Sequence, residues 1–339
     1  MAILEGVTLL DARLHIVTGK GGTGKTTVAA ALALALGARG HRVLLCEVEG
    51  RQGIASVFDV APLPYVERRI AIGPDGGEIW ALAIDAEAAL LEYLEMFYHL
   101  GRAGKALDRF GVTDFATTIA PGLRDVLLIG KVYEATRRTA GGRSASGRSP
   151  YDAVVLDAPP TGRISRFLNV NSEVVGIAKV GPIRNQAESI MQLLKSDASR
   201  VHFVTSLEEM PVQETLDGVA EMRRIGLPIG SILVNMQREP LLAAAELRAA
   251  SAGDVDWEQV AASLEKAGIA AGDAVLTGLL MEAAGHADRI ALESDQRAEL
   301  DAAGVPLVTL PLLPEGVDLG ALYDLADRLS AEATVDHDS

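Results

Sequence analysis

The chain has one cysteine, Cys46, in 339 residues. A single thiol builds neither a disulfide framework nor a zinc site within one chain, and it suits a reducing compartment, so a cytoplasmic location is expected. Cations are also scarce: 31 Lys and Arg stand against 46 Asp and Glu, for a net charge of −15. A nucleic-acid backbone or an anionic membrane surface needs clustered Lys and Arg, so neither is expected as a partner. Apolar runs are short, and Val28–Gly37 belongs to a helix pattern rather than a bilayer span, so no stable membrane insertion is expected. The start, "MAILEGVTLLDARLHIV", lacks a basic segment followed by an apolar stretch and a small-residue cleavage site, and reads as no secretory leader. The other end, "SAEATVDHDS", reads as an acidic, disordered tail over 331–339 and offers no basic amphipathic helix.

What the chain does have is apolar residues at 49%, enough for a sizeable core, and a glycine-rich loop in a telling context. Gly19 to Thr26, "GKGGTGKT", fits G-x-x-x-x-G-K-[ST]. The run Leu14–Thr18 before it is rich in β-branched residues and predicts a buried strand. The Ala- and Leu-rich run Thr26–Ala38 after it predicts a buried helix. Strand, loop and helix N-terminus together make an anion site, because successive backbone N–H groups and the helix dipole face one point. Gly21, Gly22, Thr23, Gly24, Lys25, Thr26 and Thr27 are therefore the expected phosphate-binding residues. Lys25 is expected on the β- and γ-phosphates of ATP, and the Thr26 hydroxyl on Mg²⁺.

The same loop carries a second lysine. "KGGTGKTT", Lys20 to Thr27, resembles the deviant phosphate loop of the signature-lysine ATPases. In that class the first lysine crosses a dimer interface to the partner's nucleotide, as an arginine finger does. A solvated loop lysine is the plainer alternative; the trans reading requires a dimer.

Strand-like segments at Leu14–Thr18, Val43–Val48, Ile79–Ile84, Ala153–Asp157, Val201–Thr205, Ser231–Asn235 and Pro306–Leu310 alternate with helical ones. That alternation predicts an α/β fold with a doubly wound, mainly parallel sheet and ligands at the strands' carboxyl ends. The phosphate loop occurs once and no repeat is visible, so a second nucleotide must come with another chain. One ATPase domain over 1–330 is expected, with a helical subdomain inserted at about 85–138 and a second helical region at about 241–303. "TAGGRSASGRSPYD", Thr139–Asp152, reads as a mobile surface loop.

Acids stand where such a sheet would use them. Glu47 and Glu49, spaced i, i+2 at and beyond the end of the second strand, share a face. Glu49 is assigned to orienting the attacking water and Glu47 to work near the metal. Asp157 ends the run "VVLD", where an acid holds Mg²⁺, and Pro159, Pro160 and Gly162 stiffen the loop after it. Asn235 can read an adenine edge, and Pro311 and Leu313 in the loop Leu310–Gly316 can wall the base; an ordinary cap and turn is the alternative. The segment Ala86–Phe110 is apolar on more than one stripe, which suits either a client groove or a helix buried between neighbours.

Together these residues resemble the arsenite-pump and guided-entry (tail-anchored-protein targeting) ATPase family, and most nearly its actinobacterial "anion-transporting ATPase" members. The resemblance runs from about Arg13 to about Leu329 and rests on Lys20–Thr27, "EVEGRQGIASVFD", "TTIAPGLRDVLL", "DAPPTGRISRFL", "VQETLDGV" and "LPEGVDLGALY". It implies a dimeric Mg-ATPase with nucleotides at the subunit interface and a helical region that handles cargo. It puts Glu49 at the family's water-activating aspartate, Asp157 at its second switch aspartate and Asn235 at its adenine-reading asparagine. It also implies a homodimer or a heterodimer with a paralogous ATPase, and a hydrophobic membrane-protein client. A metalloid site needs several thiolates, which one cysteine does not supply, and the C-x-x-C dimer motif is missing too. The alternative from a different class is a catalytically weak ATP-binding scaffold, which the longer Glu49 side chain leaves open.

Overall fold

The computed structural model describes residues 9–48, 50–73, 75–98, 121–138, 150–170 and 182–335. Eight strands form one sheet: β1 Leu14–Gly19, β2 Arg42–Glu47, β3 Arg68–Ile72, β4 Glu78–Ala83, β5 Ala153–Asp157, β6 Ser199–Thr205, β7 Ile229–Gln237 and β8 Leu307–Pro311. Their order is β3-β4-β2-β5-β1-β6-β7-β8. Every neighbouring pair is parallel except β3 and β4. All seven expected strands are present, and the sheet is doubly wound as expected. The sequence reading missed β3, whose leading Arg68 and Arg69 are exposed on the sheet's outer edge. Charged residues there discourage pairing with another sheet, and they also mask the strand pattern.

Eleven helices cover this sheet among the described residues. They are α1 Lys25–Ala38, α2 Gly53–Val57, α3 Ala86–Tyr98, α4 Pro121–Arg137, α5 Thr161–Leu168, α6 Pro182–Leu194, α7 Glu209–Ile225, α8 Ala244–Ala252, α9 Trp257–Lys266, α10 Asp273–Ala302 and α11 Leu319–Val335. Alternation along the strands sorts the core into two layers. Leu14, Ile16, Leu44, Val154, Leu156 and Phe203 meet side chains of α4 to α7 on one face. Val17, Val43, Leu45, Val155, Val204 and Leu233 meet α1 and α11 on the other. Helix α1 is buried at every position from Val28 to Gly37, which is why its sequence is apolar all round rather than amphipathic. Helix α11 runs on to Val335, so the chain is helical for five residues inside the segment expected as a tail.

The two helical regions differ in how they sit. On α3, Ala89, Leu90 and Tyr93 pack with Leu127 of α4 into a small cluster. Of the described side chains of the 86–110 segment, these three of α3 are buried, and Leu91 is the one exposed large apolar residue among them. Residues 99–120 of that region, and 139–149 of the expected surface loop, lie outside the described residues. In the second region α10 is about 45 Å long at 1.5 Å per residue. Its buried residues, Ala287, Glu293, Gln296 and Leu300, all lie at or beyond its midpoint, so its first turns stand out from the sheet with α8 and α9. No helix among the described residues is long and apolar enough to cross a membrane.

Two fully buried histidines pair inside the core. His15 Nδ1 of β1 lies 3.2 Å from His202 Nε2 of β6, with the rings stacked. The Ser231 backbone N–H donates to His202 Nδ1 at 3.2 Å. His202 therefore carries its proton on Nε2 and donates it to His15, an assignment that follows from the hydrogen bonds. Burial drives both rings toward the neutral form, His15 down to about 4 and His202 well below its ordinary value. A Cβ on Gly230 would lie 2.3 Å from the His202 ring, so glycine is what admits the imidazole there.

Candidate nucleotide site

The loop between β1 and α1 has the conformation its glycines predict. Gly22 and Gly24 take positive φ values of 90° and 85°, and a Cβ on Gly21 or Gly22 would meet nothing within 4 Å, so the cradle is open where phosphate would lie. The Lys20 carbonyl organises the turn. It accepts the Thr23 hydroxyl at 2.9 Å, the Thr23 backbone N–H at 3.4 Å and the Lys25 ammonium at 3.3 Å. Lys25 is thereby folded over the loop at the start of α1, where a cation completes an anion site.

The parallel pairing of β1 with β5 sets Val17 level with Asp157, so the loop after β5 rises beside the phosphate loop. The Thr26 hydroxyl donates to Asp157 Oδ2 at 2.6 Å, and the Thr18 hydroxyl donates to the Pro159 carbonyl at 2.7 Å. One hydroxyl and one carboxylate are a hard oxygen donor set suited to Mg²⁺, which keeps several waters and takes its remaining ligands from substrate phosphates. No group of three or more His, Cys, Asp or Glu side chains that could hold a metal occurs among the described residues, so a protein-only metal cage is not the pattern here. Open cradle, lysine and oxygen pair all fit ATP with Mg²⁺.

Glu47 is brought to this end of the sheet but serves the backbone. Its two oxygens accept the N–H groups of Gln52, at 2.6 Å, and Ile54, at 3.0 Å. It is 3% exposed and anchors the start of α2, where Gln52 adopts a left-handed φ of 55°. The Gln52 side chain is in turn fixed by the Leu63 backbone, accepting its N–H at 2.6 Å and donating to its carbonyl at 3.1 Å. Glu49 lies outside the described residues.

Asn235, expected to read an adenine edge, lies near the end of β7, and its amide Nδ2 donates to the Thr23 carbonyl of the phosphate loop at 2.9 Å. A Cβ on Gly24 would lie 2.3 Å from that nitrogen. The next residue, Met236, has φ 59°, a conformation that side chains other than glycine's seldom adopt and that is often found at functional positions. Pro311 ends β8 alongside Gln237, and the Leu312 N–H donates to the Gln237 carbonyl at 2.8 Å. Leu313 packs on the core beneath. Asn235, Pro311 and Leu313 thus share the carboxyl end of the sheet with the phosphate loop.

Sequence reasoning missed Glu214, on α7. Its Oε1 pairs with the Lys20 ammonium at 3.0 Å, and its Oε2 accepts the Thr161 hydroxyl at 2.7 Å. Hydrogen bonds from Thr161 and Lys20 lower its carboxyl below the ordinary value. The acid stands in "VQETLDGV", a segment singled out by resemblance, so a signal existed without a role attached.

A doubly wound parallel sheet with a phosphate loop after its central strand, and an acid held on the loop's threonine, defines a P-loop ATPase fold and site. Residues 12–196 match the model of the "Anion-transporting ATPase" family. The chain is 52% identical to the ATPase BagA of Mycobacterium tuberculosis over 324 residues, covering 96% of this chain and 94% of that one. It is 24% identical to the arsenical pump-driving ATPase of Acidiphilium multivorum over 322 residues, which is 91% of this chain and 53% of that protein. The chain belongs to the anion-transporting ATPase family and is an ATP-hydrolysing enzyme.

Proposed function

We propose that this chain hydrolyses ATP with Mg²⁺ as half of a dimer, lends Lys20 to its partner's nucleotide, and couples nucleotide state to handling of a hydrophobic membrane-protein client. The observation that carries this reading is the opposed placement of the two lysines. Lys25 turns back over its own loop, while Lys20 points its ammonium away from that loop to Glu214. A cation so directed is available to a neighbouring subunit's phosphates once Glu214 lets go.

The same reading assigns a role to each site residue. The backbone of Gly21 to Gly24 and the Lys25 ammonium hold the β- and γ-phosphates and balance charge that develops on the leaving oxygen. Thr26 and Asp157 would hold Mg²⁺, which neutralises phosphate charge when bound. Thr27 follows on the same helix turn, and Asn235 with Pro311 and Leu313 would border the base. Glu49 would orient the water that attacks the γ-phosphorus, giving ADP and inorganic phosphate.

The client part of the reading is supported by α8, α9 and the first half of α10. They enclose a groove of about 890 Å³ lined by residues such as Leu241, Ala245, Val260, Leu264, Leu279 and Leu280. Leu241, one of the lining residues, is 83% exposed, and contiguous exposed apolar surface of this kind is what a partner site presents. An apolar helical segment fits such a groove.

Subunit mixing tests the dimer. Lys20→Ala and Lys25→Ala should each be inactive alone, yet a mixture should recover ATPase activity, because the mixed dimer holds one site with an intact Lys25 and a lysine supplied across the interface. No recovery, with mixed dimers verified by mass, would place Lys20 in its own subunit's site and remove the trans reading.

A further inference from the structure

The groove between α8, α9 and α10 carries charge of one sign. Glu246, Asp254, Asp256 and Glu282 line it beside the apolar side chains, and among the described residues no Lys or Arg does. All four acids are exposed, and none makes an ion pair among the described residues. Glu246 accepts the Ala243 backbone N–H at 2.8 Å and Asp256 that of Gln259 at 3.0 Å, bonds that cap α8 and α9 and leave both charges in place. The other titratable residue on the wall is His286, whose Nε2 accepts the Leu241 backbone N–H at 3.1 Å. Its proton is therefore on Nδ1, and the neutral ring offsets none of the negative charge.

The apolar part of the groove is not covered. Helix α9 has no buried residue, and so short a helix is marginal in water without a packing partner. Val260 and Leu264 of α9 and Leu280 of α10 are half-buried, and Leu279 is 46% exposed. Helices α8 and α9, of 9 and 10 residues, make walls about 15 Å long, enough for about three turns of a docked helix. A membrane-spanning helix needs about 20 apolar residues, so the groove covers one end of it, and the ends are where flanking charges stand. A second copy of this chain docked groove to groove would instead set these carboxylates against their own equivalents, which like-charge repulsion opposes.

Given the client reading of this groove, we infer that it selects an apolar helix flanked by lysine or arginine. The apolar end seats on Val260, Leu264, Leu279 and Leu280, and the cationic flank meets Asp254 and Glu282 at the rim. Charges at an exposed rim set orientation and choice of partner more than affinity, so the acids decide which end of a client enters. An acidic flank meets like charge there and is turned away.

Fluorescence anisotropy of two labelled peptides with the full chain, at low and at raised salt, tests this. Both peptides carry the same Leu/Ala helix of about three turns, one flanked by lysine pairs and the other by glutamate pairs. Wild type should bind the lysine-flanked peptide about tenfold more tightly, the combined effect of a few exposed ion pairs, and the preference should shrink as salt rises. Asp254→Asn/Glu282→Gln, which spares both helix caps, should cut the preference to about threefold or less with an unchanged circular-dichroism spectrum. The neutral change Leu241→Gln/Leu279→Gln should weaken both peptides by about tenfold or more. Equal binding of the two peptides by wild type, with both weakened in the leucine variant, would overturn the charge selection and leave the client groove standing. Binding that the leucine variant does not weaken would move docking off this groove and overturn both readings, as would no binding of either peptide. A nucleotide-free dimer that the leucine variant dissolves, read by sedimentation, would make the groove a contact between copies and overturn the proposal too.

Discussion

The Lys20 ammonium rests 3.0 Å from Glu214, an acid 194 positions away in the chain that also takes the hydroxyl of Thr161. One carboxylate therefore joins the phosphate loop, the start of α5 and α7. Both side chains of the ion pair are about a third exposed, so the contact is a weak latch, worth at most about 1 kcal/mol.

Glu214→Gln should loosen that latch. If Lys20 serves the partner, ATP-dependent dimerisation should strengthen two- to fivefold, on the order of that latch energy, as read by analytical ultracentrifugation. Weaker dimerisation would show that Glu214 acts in the closed dimer instead. The carboxyl titrates below its ordinary value, so the latch holds at and above that value and opens only as pH falls through the lowered one. Dimerisation of the wild type should not change through this contact near neutral pH.

Asn235→Ala should weaken ATP binding by up to about tenfold, the range of one lost neutral hydrogen bond, because the Thr23 carbonyl loses its brace. Gly24→Ala should cost about 1–3 kcal/mol of stability for forcing a side chain to φ 85°, with a further loss from displacing the Asn235 amide. Combined in one chain, the two changes should cost less than their sum, since the displaced contact is already gone. Strict additivity in calorimetric unfolding would show that the amide and the glycine do not communicate.

The histidine pair predicts an acid-labile core. Both rings are neutral when folded and accept protons readily when unfolded, so the unfolded state binds more protons as pH falls below 6.5. Stability should be complete above that pH and decline toward about 4, His15 alone accounting for about 3 kcal/mol. The double change His15→Leu/His202→Leu should flatten the slope of melting temperature against pH between those values. An unchanged slope would assign the acid sensitivity to carboxylates.

The groove predicts a separable defect. Leu241→Asp or Leu279→Asp, at positions 83% and 46% exposed, should leave ATPase activity without client unchanged. In an ATP-locked Asp157→Asn background, either change should abolish co-purification of membrane proteins with terminal apolar segments. Recovery of the same proteins with and without the change would move client handling elsewhere on the molecule.

Much of this was readable from local pattern. The seven parallel strands are continuous apolar runs because both sheet faces are covered, and the phosphate loop declares itself by spacing that backbone geometry demands. What escaped reading depends on distance in the chain or on an interrupted pattern. Arg68 and Arg69 hide β3, and Glu214 and Lys20 meet only after the sheet is built. Glu47 read as a metal-side acid by position, yet the left-handed turn at Gln52, which no pattern announces, gives both its oxygens to the backbone.

Helix α1, enclosed on every side from Val28 to Gly37, behaves as an anvil. Such a rod cannot tilt or slide without opening voids in a close-packed interior, so whatever rests on its first turn is held against a fixed stop. A response to nucleotide is then expected in the loops after β2 and β5, which meet the first turn of α1 at Gly53 and Asp157, and not in the helix itself.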